Sequence, residues 1–208
     1  MNLIIAIPTV PSRADILPAL LTALSIQMPA APIRIGVGGV EPRNDFPRLM
    51  ARAAGHAEWV LQIEDDVALA PTFAIGVARG IEEAERRGAG AITFFSRARR
   101  DPTLCGKNGE EPAWYWRGAS SHCMNQCIAV RSSALAGIEE YAVEYFLRHS
   151  RAKHSADLLL GGLLSRARIR MLVQVPSLVQ HRPLKSTIHP GCGVRQSESY
   201  RAAFGEVQ

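Results

Sequence analysis

Short apolar runs alternate along the chain with segments whose apolar residues recur every three or four positions. Buried strands are predicted where the apolar runs are continuous, at residues 3–7, 33–37, 59–63, 91–95, 127–130 and 171–175. Helices are predicted where the spacing is three or four, at residues 13–24, 46–54, 71–87, 134–148 and 156–167. This alternation predicts an α/β fold with a mainly parallel, twisted sheet flanked by helices.

Some boundaries depend on single residues. Ser12 is a candidate N-cap for the first helix, although Pro18 would kink that helix or delay its start. Residues 97–121 lack periodicity and are predicted to form a long loop, and the chain after Pro176 is expected to be mostly loop. A length of 208 residues fits one domain.

Composition narrows the functional classes. Hydrophobic residues make up 47% of the chain and charged residues 21%, as in ordinary globular proteins. Pro8 interrupts the N-terminal apolar run, and no run reaches the ~20 residues of a membrane span. We therefore expect a cytoplasmic protein without a membrane partner. The net charge is +5, with 24 Lys and Arg residues of which only three are Lys, and either a polyanionic partner or a GC-rich genome would explain this excess of Arg.

Three consecutive carboxylates, Glu64, Asp65 and Asp66, follow directly after the apolar run at 59–63. In open α/β sheets ligands bind beyond the carboxyl ends of the strands, where this triplet would lie. Adjacent carboxylates repel each other, and a divalent cation with a preference for oxygen ligands would relieve that repulsion. Strand alternation would place Glu64 and Asp66 on one side and Asp65 on the other.

Two alternatives to a metal site exist for the triplet. An acidic turn could be stabilised simply by the dipole of the helix that follows it. A Lys or Arg side chain of the protein could also fill the place of the cation, which would remove the case for a metal.

The segment 60–73 resembles the Asp-x-Asp region of GT-A fold glycosyltransferases, N-acetylglucosaminyltransferases in particular, in its Glu-Asp-Asp triplet and the later Ala-Pro-Thr-Phe. The resemblance implies a Rossmann-like domain that binds a nucleotide-sugar donor, with a UDP-sugar favoured, through Mn²⁺ or Mg²⁺. It implies that Asp66 binds the metal while Glu64 and Asp65 face the ribose and the sugar. It also implies one domain over residues 1–208, with 1–95 as the donor-binding half and 96–208 carrying the acceptor site and a C-terminal loop for the metal and the diphosphate.

Two further segments resemble donor-binding parts of the same superfamily. Pro8 and Thr9 end the first strand with Arg13 just beyond, which resembles the loop that brackets the base and ribose. Arg43 and Asn44 resemble the Arg-Asn pair found before the Asp-x-Asp strand. An ordinary β–α turn would explain the first match equally well.

The C-terminal part completes the expected donor site. Residues 176–181 resemble the late strand of the family, which implies that His181 is a metal ligand beside the carboxylates. A neutral imidazole with carboxylates is a usual donor set for manganese. Arg182, Lys185 and Ser186 follow and could bind the diphosphate. A surface or core histidine is the alternative for His181.

Asp157 occupies the place at which inverting members of the family carry the catalytic carboxylate. Inverting transfer needs one base to accept the proton of the acceptor hydroxyl. The resemblance therefore implies that Asp157 is this base. An acid that is favoured at a helix N-terminus by the dipole is the alternative.

The acceptor and the reaction class leave several possibilities open. Arginine clusters at 97–100 and 166–170, together with the aromatic run 114–116, could contact nucleic acid, and a bacteriophage transferase acting on hydroxymethylated pyrimidines in DNA would fit a small basic enzyme. A nucleotidyltransferase of the same fold class or a non-catalytic nucleotide-sugar-binding module is the alternative function. A zinc site at His122, Cys123 and Cys127 is a further alternative, although buried thiols would explain the cysteines.

Overall fold

The computed structural model describes residues 2–38, 45–97, 112–119, 126–149, 155–182 and 196–204. Nine strands are described there: β1 (Leu3–Thr9), β2 (Ile33–Val37), β3 (Trp59–Ile63), β4 (Val67–Leu69), β5 (Ala91–Thr93), β6 (Ala113–Arg117), β7 (Cys127–Arg131), β8 (Met171–Val175) and β9 (Val179–His181). The same ranges contain the helices α1 (Leu17–Gln27), α2 (Asp45–Ala54), α3 (Phe73–Arg86), α4 (Ile138–Arg148), α5 (Ala156–Arg166) and α6 (Glu198–Phe204).

Seven of these strands form one mixed sheet in the order β2-β1-β3-β7-β5-β8-β6, and β4 pairs with β9 in a separate ribbon. Strands β6 and β7 run antiparallel to their neighbours, so that five of the seven strands point the same way. The prediction of a mainly parallel sheet flanked by helices is therefore confirmed, with β7 as an antiparallel strand inside it.

Alternate residues of the central strands build two hydrophobic layers. On one face, Ile5 and Leu61 pack with α1 and α3 through residues such as Leu20 and Phe73. The other face packs with α2, α4 and α5, as the pattern of period two requires. Because both faces are covered, β3 is buried along its whole length, and polar groups can reach solvent or ligands only beyond its ends.

The carboxyl ends of the parallel strands gather the candidate residues at one edge. Strands β1 and β3 are parallel neighbours, so that Thr9 and the residues following Ile63 lie at the same edge. Helix α5 ends at Arg166 and β8 begins at Met171, so that α5 runs back across the sheet and begins at that edge. The topology therefore places the start of α5, with Asp157, on the same side of the sheet as the acidic triplet.

Several boundaries differ from the sequence prediction for local reasons. Ser12 is not the N-cap of α1, because residues 11–13 form a separate 3-10 turn and α1 begins at Leu17 with Pro18 in its first turn. A proline is tolerated there because its missing N–H would have no partner in the helix. The predicted helix at 134–148 is divided at Gly137, whose φ of 72° is left-handed.

The prediction that 97–121 and the tail after Pro176 lack regular structure was wrong in part. Residues 113–117 form the edge strand β6, and its Trp114 packs against the hydrophobic core. The tail contributes β9 and α6. Among the described residues, no helix combines the length and the apolar character that crossing a membrane would require.

An ion-pair cluster at the end of α3 provides a test of local stability. Glu83 accepts hydrogen bonds from Arg86, at 2.7 and 2.8 Å, and from Arg87. The bond from Arg86, opposed by partial burial and aided by Arg87, lowers the pKa of Glu83 from 4.5 to about 2. A carboxylate with a lowered pKa stabilises the fold above its unfolded pKa and loses that effect as the pH falls.

We expect Glu83→Gln to lower the free energy of unfolding by about 1 kcal/mol at neutral pH, a typical value for surface ion pairs. Urea unfolding should show this difference unchanged down to pH 4.5 and shrinking as the pH approaches about 2. The exposed Glu82→Gln on the same helix is the control and should leave stability nearly unchanged. A pH-independent loss in Glu83→Gln would mean that the ion pairs do not cause it.

Candidate metal centre at the carboxyl edge of the sheet

The β4–β9 ribbon brings His181 against Asp66. Val67 pairs with His181 across the ribbon, and the backbone N–H of Arg182 donates to the carbonyl oxygen of Asp66 at 2.8 Å. His181 Nε2 then lies 3.3 Å from Asp66 Oδ2. The side chains of His181 and Asp66 are 9% and 3% exposed, so that solvent screens their interaction only weakly.

The hydrogen bond of the other ring nitrogen of His181, Nδ1, determines whether Nε2 can bind a metal ion. Nδ1 lies 2.7 Å from the carbonyl oxygen of Arg182, a contact in which Nδ1–H donates. In a neutral ring this leaves a lone pair on Nε2, facing the carboxylate oxygen Asp66 Oδ2. Two acceptors at this distance attract each other only through a proton or a metal ion between them. A backbone carbonyl that orients the distal nitrogen is also the usual arrangement for a metal-binding histidine.

Glu64 completes a set of three candidate ligands. One ligand atom from each of Glu64, Asp66 and His181 lies within 4.8 Å of the other two. Gln126 orients Glu64, because its carbonyl accepts from the Glu64 N–H at 3.0 Å and its Nε2 donates to Glu64 Oε2 at 3.2 Å. Two carboxylates with one imidazole are a donor set that suits Mn²⁺, and the carboxylates also suit Mg²⁺.

An unsatisfied oxygen supports this assignment. Asp66 Oδ1 is buried and has no hydrogen-bond partner within the described part of the chain. A buried carboxylate oxygen without a partner costs free energy, and native proteins rarely keep such atoms unless a water or an ion satisfies them. The atom belongs to the residue that the sequence predicts as the metal ligand, so the residues present fit a divalent cation.

Arg13 enters the cluster in a way that the sequence analysis did not anticipate. Its Nη1 lies 2.6 Å from Asp65 Oδ1 and 2.8 Å from Asp66 Oδ2. Thr9 Oγ1 donates to the other oxygen of Asp65 at 2.6 Å. Both oxygens of Asp65 are thus bound by Thr9 and Arg13, and the expected roles of these three residues as donor contacts stay predictions.

One arginine does not neutralise the site. Glu64, Asp65 and Asp66 bring three negative charges, and among the described residues Asp65 and Asp66 pair with the guanidinium of Arg13 and Asp66 also with a histidine that is charged only when protonated. The alternative in which a Lys or Arg side chain takes the place of the metal therefore applies to Asp65 and to one oxygen of Asp66, which Arg13 binds. The other oxygen, Asp66 Oδ1, has no partner among the described residues.

The pKa shifts separate the two aspartates. Burial raises the pKa of Asp65 above its usual value, although Thr9 and Arg13 oppose this. For Asp66 burial acts in the same direction, but the hydrogen bond and charge of His181, with Arg13, outweigh it and lower the pKa. Burial lowers the pKa of His181, but the hydrogen bond and charge of Asp66, together with the carbonyl of Arg182 and the charge of Glu64, raise it above 6.5.

The remaining predicted site residues fall into two groups. Pro8 and Arg182 lie at this edge, the first in β1 beside Thr9 and the second directly after His181. Asp157 lies in the first turn of α5, where its Oδ1 accepts from the Leu158 N–H at 3.0 Å, and its charge contributes to a raised pKa of Tyr145. Its role as a base stays a prediction. The predicted donor contacts Arg43, Asn44, Lys185 and Ser186 lie outside the described residues.

Gln126 is a site residue that the sequence analysis missed. It is fully buried, holds Glu64 and keeps its own Oε1 without a partner in the described ranges. The only feature of the sequence that points to Gln126 is its position as a polar residue directly before the apolar strand β7. That signal becomes informative once β7 is known to pair antiparallel with β3, which places Gln126 opposite Glu64.

The arginine cluster at 166–170 lies away from this centre. It directly precedes β8 and so lies at the amino ends of the parallel strands, the opposite edge of the sheet. Arg166 pairs with Glu144 at 2.8 Å, and Arg170 stacks on Trp116 and donates to the carbonyl oxygen of Arg87 at 2.8 Å. These two arginines therefore have structural partners.

The zinc alternative receives no support from its described member. Cys127 is fully buried in the hydrophobic layer that packs with α1 and α3, and burial raises the pKa of its thiol. A thiol held protonated in an apolar core is a poor metal ligand. His122 and Cys123 lie outside the described residues.

Comparison with known proteins establishes the fold and no family. No protein-family model matches the chain, and no curated protein matches it in sequence. Among solved structures, A197 from STIV matches with a TM-score of 0.52 and 11% identity over 87% of this chain and 85% of A197. A glycosyltransferase involved in the glycosylation of the major capsid of PBCV-1 has a TM-score of 0.44 and 15% identity over 88% and 83% of the two chains. The likeness to A197 shows a shared fold, and we draw no functional conclusion from either match.

We expect metal affinity to decrease as the pH falls from 8 to 6, because a proton competes for a histidine whose pKa is raised above 6.5. Titration of Mn²⁺ followed by electron paramagnetic resonance should show this. His181→Gln should bind about tenfold more weakly at pH 8 and change less with pH. The exposed His56→Gln is the control. An unchanged pH dependence in His181→Gln would exclude His181 as a ligand.

We expect Thr9→Val to lower the free energy of unfolding by about 1–3 kcal/mol at neutral pH, because it leaves a buried oxygen of Asp65 without its donor. The Thr9 bond lowers the pKa of Asp65, so its loss should raise that pKa, and the destabilisation should shrink at acid pH, where the carboxyl is protonated. Thr9→Ser retains the hydroxyl and should remain close to wild type in the same urea titrations. A Thr9→Val variant as stable as wild type would contradict this role of the hydroxyl, and a loss confined to Thr9→Ser would show that the methyl group matters instead.

Proposed function

We propose that this protein is a metal-dependent glycosyltransferase that moves a sugar from a nucleoside-diphosphate donor to an acceptor hydroxyl. The observation that carries the proposal is the set Glu64, Asp66 and His181, with an unsatisfied buried oxygen on Asp66, at the carboxyl edge of a mainly parallel sheet. The resemblance of segment 60–73 to the Asp-x-Asp region adds support, because it assigns a metal to the same residue.

The donor would bind across this edge. Asp66 and His181 would hold Mn²⁺ or Mg²⁺, which, when bound, would neutralise charge on the donor diphosphate and on the leaving nucleotide. Arg182, which follows His181 directly, with Lys185 and Ser186, is proposed to contact the diphosphate. Glu64, the third member of the candidate ligand set, would help to hold the ion and by the resemblance would also face the sugar, and we favour UDP as the nucleotide on the same resemblance.

We propose that Asp65 has a structural role rather than that of a ligand. Its two oxygens are bound by Thr9 and Arg13, which fixes the turn between β3 and β4. We propose that this arrangement orients Asp66 and leaves the ribose to be contacted from the end of β1, where Pro8 lies. Arg43 and Asn44 remain proposed donor contacts by the same resemblance.

The transfer step is proposed to be inverting. The acceptor oxygen forms a bond to the anomeric carbon as the bond from that carbon to the diphosphate oxygen breaks, and the nucleoside diphosphate leaves with the electron pair. Asp157 accepts the hydroxyl proton. It suits this role because α5 begins at the same edge as the acidic triplet, where the side chain is half-buried.

DNA is the acceptor class that we propose to test first, and a hydroxymethylated pyrimidine in phage DNA supplies a suitable hydroxyl. The support is the net charge of +5. The arginines at 166 and 170 do not add to it, since both have protein partners at the other edge. A gel-shift assay at low salt that shows no binding to duplex DNA would redirect the search to glycans and small molecules.

Two substitutions should separate metal binding from chemistry. Asp66→Asn should abolish Mn²⁺ binding and donor turnover together, because it removes the ligand charge. Asp157→Asn should retain Mn²⁺ and UDP binding but lower transfer about 10²–10⁴-fold, the usual effect of removing a general base. The measurement is release of UDP from a panel of UDP-sugars, with calorimetry for binding.

The exposed Glu140→Gln is the control for both variants and should behave as wild type. Near-normal turnover in Asp157→Asn would contradict the inverting mechanism. Donor binding with no turnover of any donor would favour a non-catalytic module. Release of pyrophosphate from a nucleoside triphosphate would favour a nucleotidyltransferase.

A further inference from the structure

The C-terminal helix α6 is bonded to the strand that carries His181. The side chain of Gln180, in β9, makes two hydrogen bonds to the backbone of Ser197: its Oε1 accepts from the N–H at 2.8 Å, and its Nε2 donates to the carbonyl oxygen at 3.3 Å. Both residues are almost completely buried. An amide paired at both ends with one backbone unit fixes β9 relative to the start of α6.

A buried set of serine hydroxyls reinforces this contact. Ser197 Oγ donates to Ser177 Oγ at 2.8 Å, and Ser199 Oγ accepts from the Ser177 N–H at 3.1 Å. Ser177 Oγ in turn accepts from the N–H of Ser96, beyond β5, at 2.9 Å. The network therefore connects α6, the segment before β9 and the central sheet.

The other strand of the ribbon is also bound by α6. Tyr200 OH donates to the carbonyl oxygen of Leu69, in β4, at 3.3 Å. Helix α6 thus contacts β4 through Tyr200 and β9 through the backbone of Ser197. These are the two strands that hold Asp66 and His181 together.

We propose that α6 positions the metal site, and that Gln180 is the positioning residue through which it acts. This inference rests on the proposed metal-dependent function. Neighbouring residues of a strand point to opposite sides, so that Gln180 faces α6 while His181 faces Asp66. A two-stranded ribbon with three residues in each strand is marginal without external support. Residues that hold metal ligands in place from behind commonly set the affinity.

The test is Gln180→Met, which keeps the length of the side chain and removes both bonds to Ser197. We expect Mn²⁺ to bind about 10-fold more weakly, measured by electron paramagnetic resonance at a temperature at which circular dichroism shows the variant folded. The control is Gln174→Met, because Gln174 is equally buried in β8 and bonds to Trp114 instead. Both variants should lose stability, and only Gln180→Met should lose metal affinity.

Affinity in Gln180→Met within twofold of wild type would overturn the proposal and leave the proposed function intact. If Gln180→Met does not fold, Ser197→Ala replaces it, with a smaller loss of affinity expected and unchanged affinity overturning the proposal. If wild type binds no Mn²⁺, the proposed function fails. Hydrogen exchange then tests separately whether Gln180 and α6 hold the β4–β9 ribbon in place. The Arg182 amide, bonded to Asp66, should then exchange about 10-fold faster in Gln180→Met than in Gln174→Met. Equal exchange rates would overturn the proposal.

Discussion

The contact between Asp66 and His181 is the interaction on which the described edge of the sheet depends. It joins a turn after the central strand β3 to a strand near the C-terminus, and it buries a carboxylate that only partly meets a positive charge. Charges in such surroundings must be compensated, because burial removes the solvation they have in water. The ribbon and Arg13 meet that requirement in part, whereas the oxygen Asp66 Oδ1 has no partner among the described residues.

The three consecutive acidic residues are stabilised by different partners. Asp65 is satisfied by a hydroxyl and a guanidinium, so that its place in the fold needs no ligand. Asp66 shares that guanidinium and faces an imidazole, while Glu64 is held by an amide. Consecutive acids in one turn thus reach different partners, because alternate residues leave the strand in different directions. One arginine stabilises the turn, and one oxygen of Asp66 is left without a partner among the described residues.

The sequence predicted the parts that depend on local pattern. The buried strands β1, β3 and β8 and the helix α5 follow from apolar runs and helical spacing, and the acidic triplet lies where the end of β3 places it. Sequence pattern could not show that Arg13 binds Asp65, because that contact spans 52 positions and depends on sheet order. The edge strand β6 was also missed, since its residues show no alternation of burial and it is defined by its antiparallel pairing with β8. The prediction was limited mainly because local sequence pattern does not show which distant segments pair with each other.

The separation of Asp66 from His181 along the chain has a consequence for biosynthesis. These two candidate ligands lie more than a hundred residues apart, and the ribbon that joins them forms only with β9 and α6. Contacts between such distant segments form late in folding, because a long loop must be closed first. A nascent chain that has emerged only as far as α4 would contain the acidic triplet and Arg13 but could not assemble the complete cation site.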